Sequence, residues 1–318
     1  MKDLLSAPSV LVIAGPTASG KSAAALELAA ALGGTVINAD ALQIYAGIPV
    51  LSAAPTQAER AAVPHRLYGV LSPEEACSAG RWRTLAIAAI EAVLAEGRVP
   101  MLVGGTGLYL RALIEGIVEI PPVPPEVRAG AEALLARVGG TEFRRKLGER
   151  DPEAAGRLHD NDRQRLIRAF EIVTATGRTQ GEWQREAHQR PPEGWSFDIG
   201  LLLPGRDWLY ERCDRRFDAM LAGGAEEEVR ALLARGLDPE LPAMKAVGLP
   251  ELAAFLRGEV SREEAAAGAR QATRNYAKRQ LTWLRNQMKP GAGRRIFCAA
   301  DADALAATFR RLADGYGV

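Results

Sequence analysis

Gly15-Pro16-Thr17-Ala18-Ser19-Gly20-Lys21-Ser22 follows a continuous apolar run, Val10 to Ala14, and leads into a stretch of good helix formers, Lys21 to Leu32. The run has the unbroken, β-branched character of a strand covered on both faces of a parallel sheet. Strand, glycine-rich loop and helix with the spacing G-x-x-x-x-G-K-[ST] make a P-loop. The glycines let backbone N–H groups turn inward around phosphate oxygens, and the helix N-terminus adds positive potential. Lys21 is placed to reach the terminal phosphates, and the Ser22 hydroxyl suits Mg²⁺. The loop specifies phosphate, not which phosphate compound.

Working outward, Gly33-Gly34 stops the first helix, and Thr35 to Asn38 reads as a second strand, ending at Asp40. Arg81 to Glu96 is an amphipathic helix closed by Gly97. Pro100 to Val103 is a third buried strand; it runs into Gly104-Gly105-Thr106-Gly107, and Leu108 to Ile114 begins the next helix. The alternation predicts an α/β fold, a P-loop parallel-sheet core whose ligands sit at the carboxyl ends of the strands. The pattern breaks at Ile120-Pro121-Pro122-Val123-Pro124-Pro125, a stiff connector. Glu126 to Gly177 then reads as helices only, with Asn161 or Asp162 capping the one that ends at Thr176. A strand resumes at Ile199 to Leu203. Helices follow at Asp207 to Leu221 and Ala225 to Arg235, and Ser261 caps one that runs to about Arg285. The expected organisation is a first core part at 1–118, an inserted all-helical domain at 119–195, and a mostly helical second core part at 196–318.

A nucleoside triphosphatase wants a second acidic residue at the end of a later buried strand to hold Mg²⁺. Pro100 to Val103 ends in glycines and offers no carboxylate, which favours a diphosphate bound for another purpose. Asp40 has two readings at its strand end: a general base or hydrogen-bond acceptor facing the P-loop, or a helix N-cap. Gly104 to Gly107 is either a tight turn or a place where a ligand comes close, with Thr106 supplying a hydroxyl. The last long helix carries Arg270, Arg274 and Lys278 at four-residue steps, with Tyr276, Gln280 and Trp283 on a neighbouring stripe. A basic row is most often a solvated face, and an aromatic stripe most often core.

The 318 residues are 47% apolar and 25% charged with a net charge of +1, a globular composition without a strong overall pull on nucleic acid. Arginines nevertheless concentrate between Arg144 and Arg190 and again between Arg270 and Arg285, enough for a local polyanion surface. No apolar run approaches the ~20 residues of a membrane span, and Met1 to Pro8 lacks a secretory apolar region. Cys77, Cys213 and Cys298 are far apart and odd in number, which points to reduced thiols; His65, His159 and His188 show no metal-ligand spacing. A cytoplasmic location, no membrane and a monomer are the expectations.

Five pieces together resemble the tRNA dimethylallyltransferase (tRNA isopentenyltransferase) family: Gly15–Ser22, Asp40–Tyr45, Gly104–Tyr109, Asp160–Arg178 and Arg274–Asn286, in the family's order and over nearly the whole chain. One piece departs from the family pattern. Leu51-Ser52-Ala53-Ala54-Pro55-Thr56 stands where Gly-Thr-Ala-Lys-Pro-Thr is usual, so the lysine is missing. The zinc finger of eukaryotic members is absent, as in a bacterial form. The resemblance implies transfer of a dimethylallyl group from dimethylallyl diphosphate to N6 of adenosine 37 in tRNA, with Mg²⁺ as cofactor and the helical insertion gripping the tRNA. It implies catalytic roles for Asp40, Thr17 and Lys21. The diphosphate would lie on Gly15, Pro16, Thr17, Ala18, Ser19, Gly20, Lys21, Ser22 and Arg216, with Mg²⁺ on Ser22. The tRNA would meet Asp40, Ala41, Leu42, Gln43, Thr106, Arg128, Gln164, Arg165, Leu166, Ile167 and Arg168. The rival readings are an adenylate isopentenyltransferase, a small-molecule P-loop kinase, and an RNA-binding module without catalysis.

Overall fold

The structure, a computed structural model, describes residues 9–118, 120–185 and 191–316. Met1 to Pro8, His188 and Arg190 lie outside the described residues. The chain forms two compact units, Met1–Ile114 with Pro192–Val318, and Glu115–Pro191. The second unit lies four residues upstream, at each end, of the bounds drawn from sequence.

Among the described residues the first unit holds one six-stranded sheet: β1 Ser9–Ala14, β2 Gly34–Asn38, β3 His65–Arg66, β4 Val99–Gly104, β5 Ser196–Leu202 and β6 Arg294–Ala299. Every pairing is parallel, in the order β3-β2-β4-β1-β5-β6. Alternate residues of β1 enter different cores. Val10, Val12 and Ala14 pack with Trp82, Ile90 and Leu110 on one face, and Ile13 packs with Leu28, Met101 and Phe309 on the other. Both faces are covered, so the central strands must be apolar throughout. Register then fixes the ligand end. Ala14 pairs with Gly104 and Val103 with Asn38, so Gly15, Ala39 and Gly105 leave their strands at the same level.

Two strands escape the sequence reading. β3 has only two residues, a histidine and an arginine, with no apolar pattern to announce it. β6 is an edge strand whose charges are used: Arg295 donates to both oxygens of Asp198 on β5, at 2.6 Å each. The helix Arg262–Gln287 starts at the expected cap, where the Ser261 hydroxyl accepts from Glu264 N–H and Glu264 returns the bond to Ser261 N–H.

The second unit contains the helices Pro125–Gly148, Pro152–Arg157, Arg163–Thr176 and Gln180–Arg185. Its own core joins Leu135, Phe143, Leu147, Leu166 and Phe170. Asp162 occupies the N-cap position of Arg163–Thr176, but its side chain makes no capping bond. It pairs with Arg165 at 3.0 Å instead.

Candidate active site

The P-loop turns through two left-handed residues, Ala18 (φ 62°) and Gly20 (φ 94°). For alanine this conformation costs on the order of 1–2 kcal/mol. The Arg212 guanidinium holds it: Nε donates to Ala18 O at 2.9 Å, and the group lies 4.7 Å from the centre of the Trp208 ring. Lys21 is buried and donates to Pro16 O at 3.2 Å. Burial, and then the Arg216 charge, push its pKa down to about 8, with Asp40 pulling the other way. Arg216 is half-buried, and desolvation lowers its pKa too, again opposed by Asp40. Among the described residues, neither Lys21 nor Arg216 has a carboxylate within ion-pair distance. Sheltered cations left this way cost several kcal/mol unless an anion joins them.

Asp40 follows β2 in a fixed loop. Its N–H donates to Asn38 Oδ1 at 2.8 Å, and its Oδ1 accepts from Leu42 N–H at 2.9 Å. Asn38 Nδ2 donates to both Asp40 O and Leu67 O at 3.0 Å. Ala41 N–H donates to the Thr106 hydroxyl at 2.9 Å, tying this loop to the turn after β4. Turns and no helix follow Asp40, so the N-cap reading gives way to an Asx turn that holds the carboxylate at the strand end.

Thr17, Lys21, Asp40, Leu42, Gln43 and Arg216 share one cleft of about 560 Å³, all within the first unit. The segment Leu51–Thr56, which lacks the family lysine, is a well-held wall of this cleft. Leu51 and Ser52 line it. Glu228 accepts from Val50 and Leu51 N–H at 2.8 Å each, and Gln43 Nε2 donates to Ser52 O and Ala53 O at 3.0 and 2.8 Å. Thr56 caps the helix Gln57–Ala62 in a reciprocal pair with Glu59. Ser22, by contrast, is exposed and lines a neighbouring cleft of about 340 Å³ with His65 and Tyr68; Gln43 lines both.

Sequence reasoning missed Phe217, Met220, Val247, Thr273 and Tyr276 in the main cleft. The available signal was the polar content of the last long helix, where Thr273, Tyr276 and Gln280 recur at i, i+3 and i+7 on one face. Burial pushes the Tyr276 hydroxyl pKa up, which keeps it protonated. The glycines of the turn after β4 also need a different explanation. A Cβ on Gly105 would lie 2.4 Å from Gln280 Nε2, and one on Gly107 would lie 2.2 Å from the Trp283 ring. They make room for two side chains of this helix, not for a ligand. Of the basic row on the same helix, Arg270 pairs with Asp218 and Arg274 with Asp214, both at 2.6 Å.

In the second unit Arg128 pairs with Glu132 at 2.9 Å, Arg165 with Asp162 at 3.0 Å and Arg168 with Glu171 at 2.5 Å. Gln164 is exposed. Leu166 is fully buried and Ile167 half-buried against the helical core, so those two side chains serve packing. Among the described residues no helix is long and apolar enough to cross a membrane. Nor, among them, do three or more His, Cys, Asp or Glu side chains gather as a metal site.

The model of the IPP transferase family matches residues 43–287. The tRNA dimethylallyltransferase of Rhodospirillum centenum is 57% identical over 279 residues, 88% of this chain and 89% of that protein. The protein of the same name from Phenylobacterium zucineum is 52% identical over 281 residues, 88% of this chain and 91% of its own length. Among solved structures, the tRNA isopentenylpyrophosphate transferase of Bacillus halodurans is similar with a TM-score of 0.65 at 33% identity, covering 97% of this chain and 96% of that one. A eukaryotic dimethylallyltransferase, captured acting on tRNA, gives a TM-score of 0.76 at 28% identity, covering 96% of this chain and 78% of its own.

Proposed function

The chain belongs to the IPP transferase family of tRNA dimethylallyltransferases, and from that premise we propose that it transfers a dimethylallyl group from dimethylallyl diphosphate to N6 of adenosine 37 in tRNA, giving N6-isopentenyladenosine. The observation that carries this reading is the pair Lys21 and Arg216, sheltered, without a carboxylate in ion-pair reach among the described residues, and sharing one cleft with Asp40. Such a cleft stabilises a diphosphate on one side and accepts a proton on the other.

An adenine N6 amine is a poor nucleophile because its lone pair is delocalised into the ring. Asp40, fixed by its Asx turn and by Thr106, orients the amine and takes the proton it loses. The new C–N bond forms as the allylic C–O bond breaks, and the electron pair leaves with the diphosphate. Lys21, Arg216 and the P-loop N–H groups not already bonded within the protein stabilise the charge that develops there. Thr17 presents its hydroxyl to the donor. Magnesium would add positive charge to the diphosphate. Ser22, the hydroxyl that the P-loop pattern offers to such an ion, lines the neighbouring cleft, and no carboxylate cluster gathers among the described residues, so the ion would be carried by phosphate oxygens and water.

The exposed side chains Arg128, Gln164, Arg165 and Arg168 form the tRNA-contacting set of the helical unit, and Ala41, Leu42, Gln43 and Thr106 meet the target base. Unstacking that base costs a few kcal/mol, which backbone contacts offset. The protein is proposed to work as a monomer in the cytoplasm. An anticodon stem-loop and AMP, supplied in parallel with dimethylallyl diphosphate, test the acceptor: prenylation of the stem-loop is the expected result, and prenylation of AMP alone would overturn it.

A further inference from the structure

Gln280 lies in the Arg274–Asn286 segment and is given no task by the reaction above. Its side chain is 6% exposed, and both ends of its amide are used. Oε1 accepts from the backbone N–H of Thr17 at 2.8 Å, and Nε2 donates to Gly105 O at 3.0 Å. The first bond crosses 263 positions of sequence, the second 175. A buried amide bonded at both ends has a single orientation, because rotating it would place two donors or two acceptors face to face.

The first bond has a consequence for the P-loop. Backbone N–H groups of such a loop ordinarily turn toward phosphate. The Thr17 N–H is directed to Gln280 instead, while Thr17 itself lines the cleft with Lys21 and Asp40. With its amide committed on one side, the Thr17 backbone is fixed where the residue lines the cleft, and the loop gives up one phosphate-binding N–H. The second bond ties the same amide to the turn after β4, whose Thr106 hydroxyl accepts from Ala41 N–H beside Asp40. One side chain thus spans the donor loop and the turn that steadies the carboxylate loop. Gly105 must be glycine for this to happen, since a Cβ there would meet Gln280 Nε2 at 2.4 Å.

We propose that Gln280 is a positioning residue for prenyl transfer, acting through Thr17 by fixing its backbone and thereby the placement of its hydroxyl against the departing diphosphate. This rests on the function proposed above. A misplacement of about 1 Å in such a group lowers rates by as much as ~100-fold.

The test is a double-mutant cycle in kcat with Thr17→Ala and Gln280→Leu, run on full-length protein with stem-loop RNA and dimethylallyl diphosphate. Gln280→Leu is expected to lower kcat roughly ten- to a hundredfold with little change in donor KM, and to lower it no further in the Thr17→Ala background. With ¹⁵N-threonine labelling, the Thr17 amide should exchange slowly in the wild type and rapidly in Gln280→Leu. Equal losses in both backgrounds, or a fast-exchanging Thr17 amide in the wild type, overturn the proposal while leaving the function intact. A wild type that fails to prenylate the stem-loop overturns the function, and the positioning role with it.

Discussion

Two sets of cations in this molecule look alike as sequence and differ as physics. Lys21 and Arg216, in the α/β unit, are sheltered from water and have no carboxylate in ion-pair reach among the described residues. Arg128, Arg165 and Arg168, in the helical unit, are exposed, and each rests on an acid three or four residues away. The Arg128 and Arg165 pairs, at the surface, contribute about 0–1 kcal/mol, so a polyanion displaces them with little loss, whereas Arg168 neutralises the buried Glu171. The sheltered pair is the reverse. Its desolvation is offset only in part, by the Asp40 charge, and is relieved further by a ligand of opposite charge. Under the proposed function, the first set takes one compact anion in a fixed place, and the second an extended one whose contacts are many and weak.

The sharpest way to break this contrast is to remove the carboxylate that shares the cleft. Asp40→Asn should lower kcat by roughly 10²–10⁴-fold with donor binding unchanged; steady-state kinetics with varied donor check it. Next in size, Arg216→Gln should lower kcat/KM for the donor by about 10²–10³-fold. The same variant, without donor, should melt at or above the wild-type temperature, because a cation whose desolvation is only partly offset has been removed. A large fall in melting temperature would mean that Arg216 is structural.

Lys21 gives a pH signature. Its proton leaves near 8 in the folded chain and near 10.5 in the unfolded one. Between those values the unfolded chain binds more protons, so donor-free stability should rise with pH across that window, by at most about 3 kcal/mol. Below 8 both states hold the proton, and the burial cost is present in full. Urea melts at intervals between pH 7 and 10 check the rise, which should vanish in Lys21→Met. The smallest effect belongs to the helical unit. Arg165→Gln should weaken tRNA binding a few-fold, reduce the salt slope by about one, and leave the donor KM alone. Filter binding at several salt concentrations reads both.

How much of this was legible beforehand follows the same division. The buried strands announced themselves because a sheet covered on both faces has no polar positions to disguise it, and the P-loop followed from Val10 to Ala14 meeting Lys21 to Leu32. The edge of the sheet was not legible. β6 places Arg294-Arg295 at its start, and the sense of the Arg295 charge depends on Asp198, almost a hundred positions away. Gly105 and Gly107 were readable as glycines but not for their reason, since Gln280 and Trp283 fill the space they leave only once the chain is folded. The Asp40 loop was recognised by its place after a strand. Its Asx turn and its bond from Ala41 to Thr106 depended on partners that local sequence does not show. Leu166 was offered to tRNA by motif position, while its helical face sends it inward.

The central claim is that the P-loop holds the diphosphate of an allylic donor as a leaving group. It is tested most directly by incubating the protein with an anticodon stem-loop and either dimethylallyl diphosphate or ATP, and then following RNA mass and phosphate release together. The expected result is one isoprenoid unit added per stem-loop, with release of diphosphate and no consumption of ATP. Turnover of ATP with the RNA unmodified by the allylic donor would contradict it.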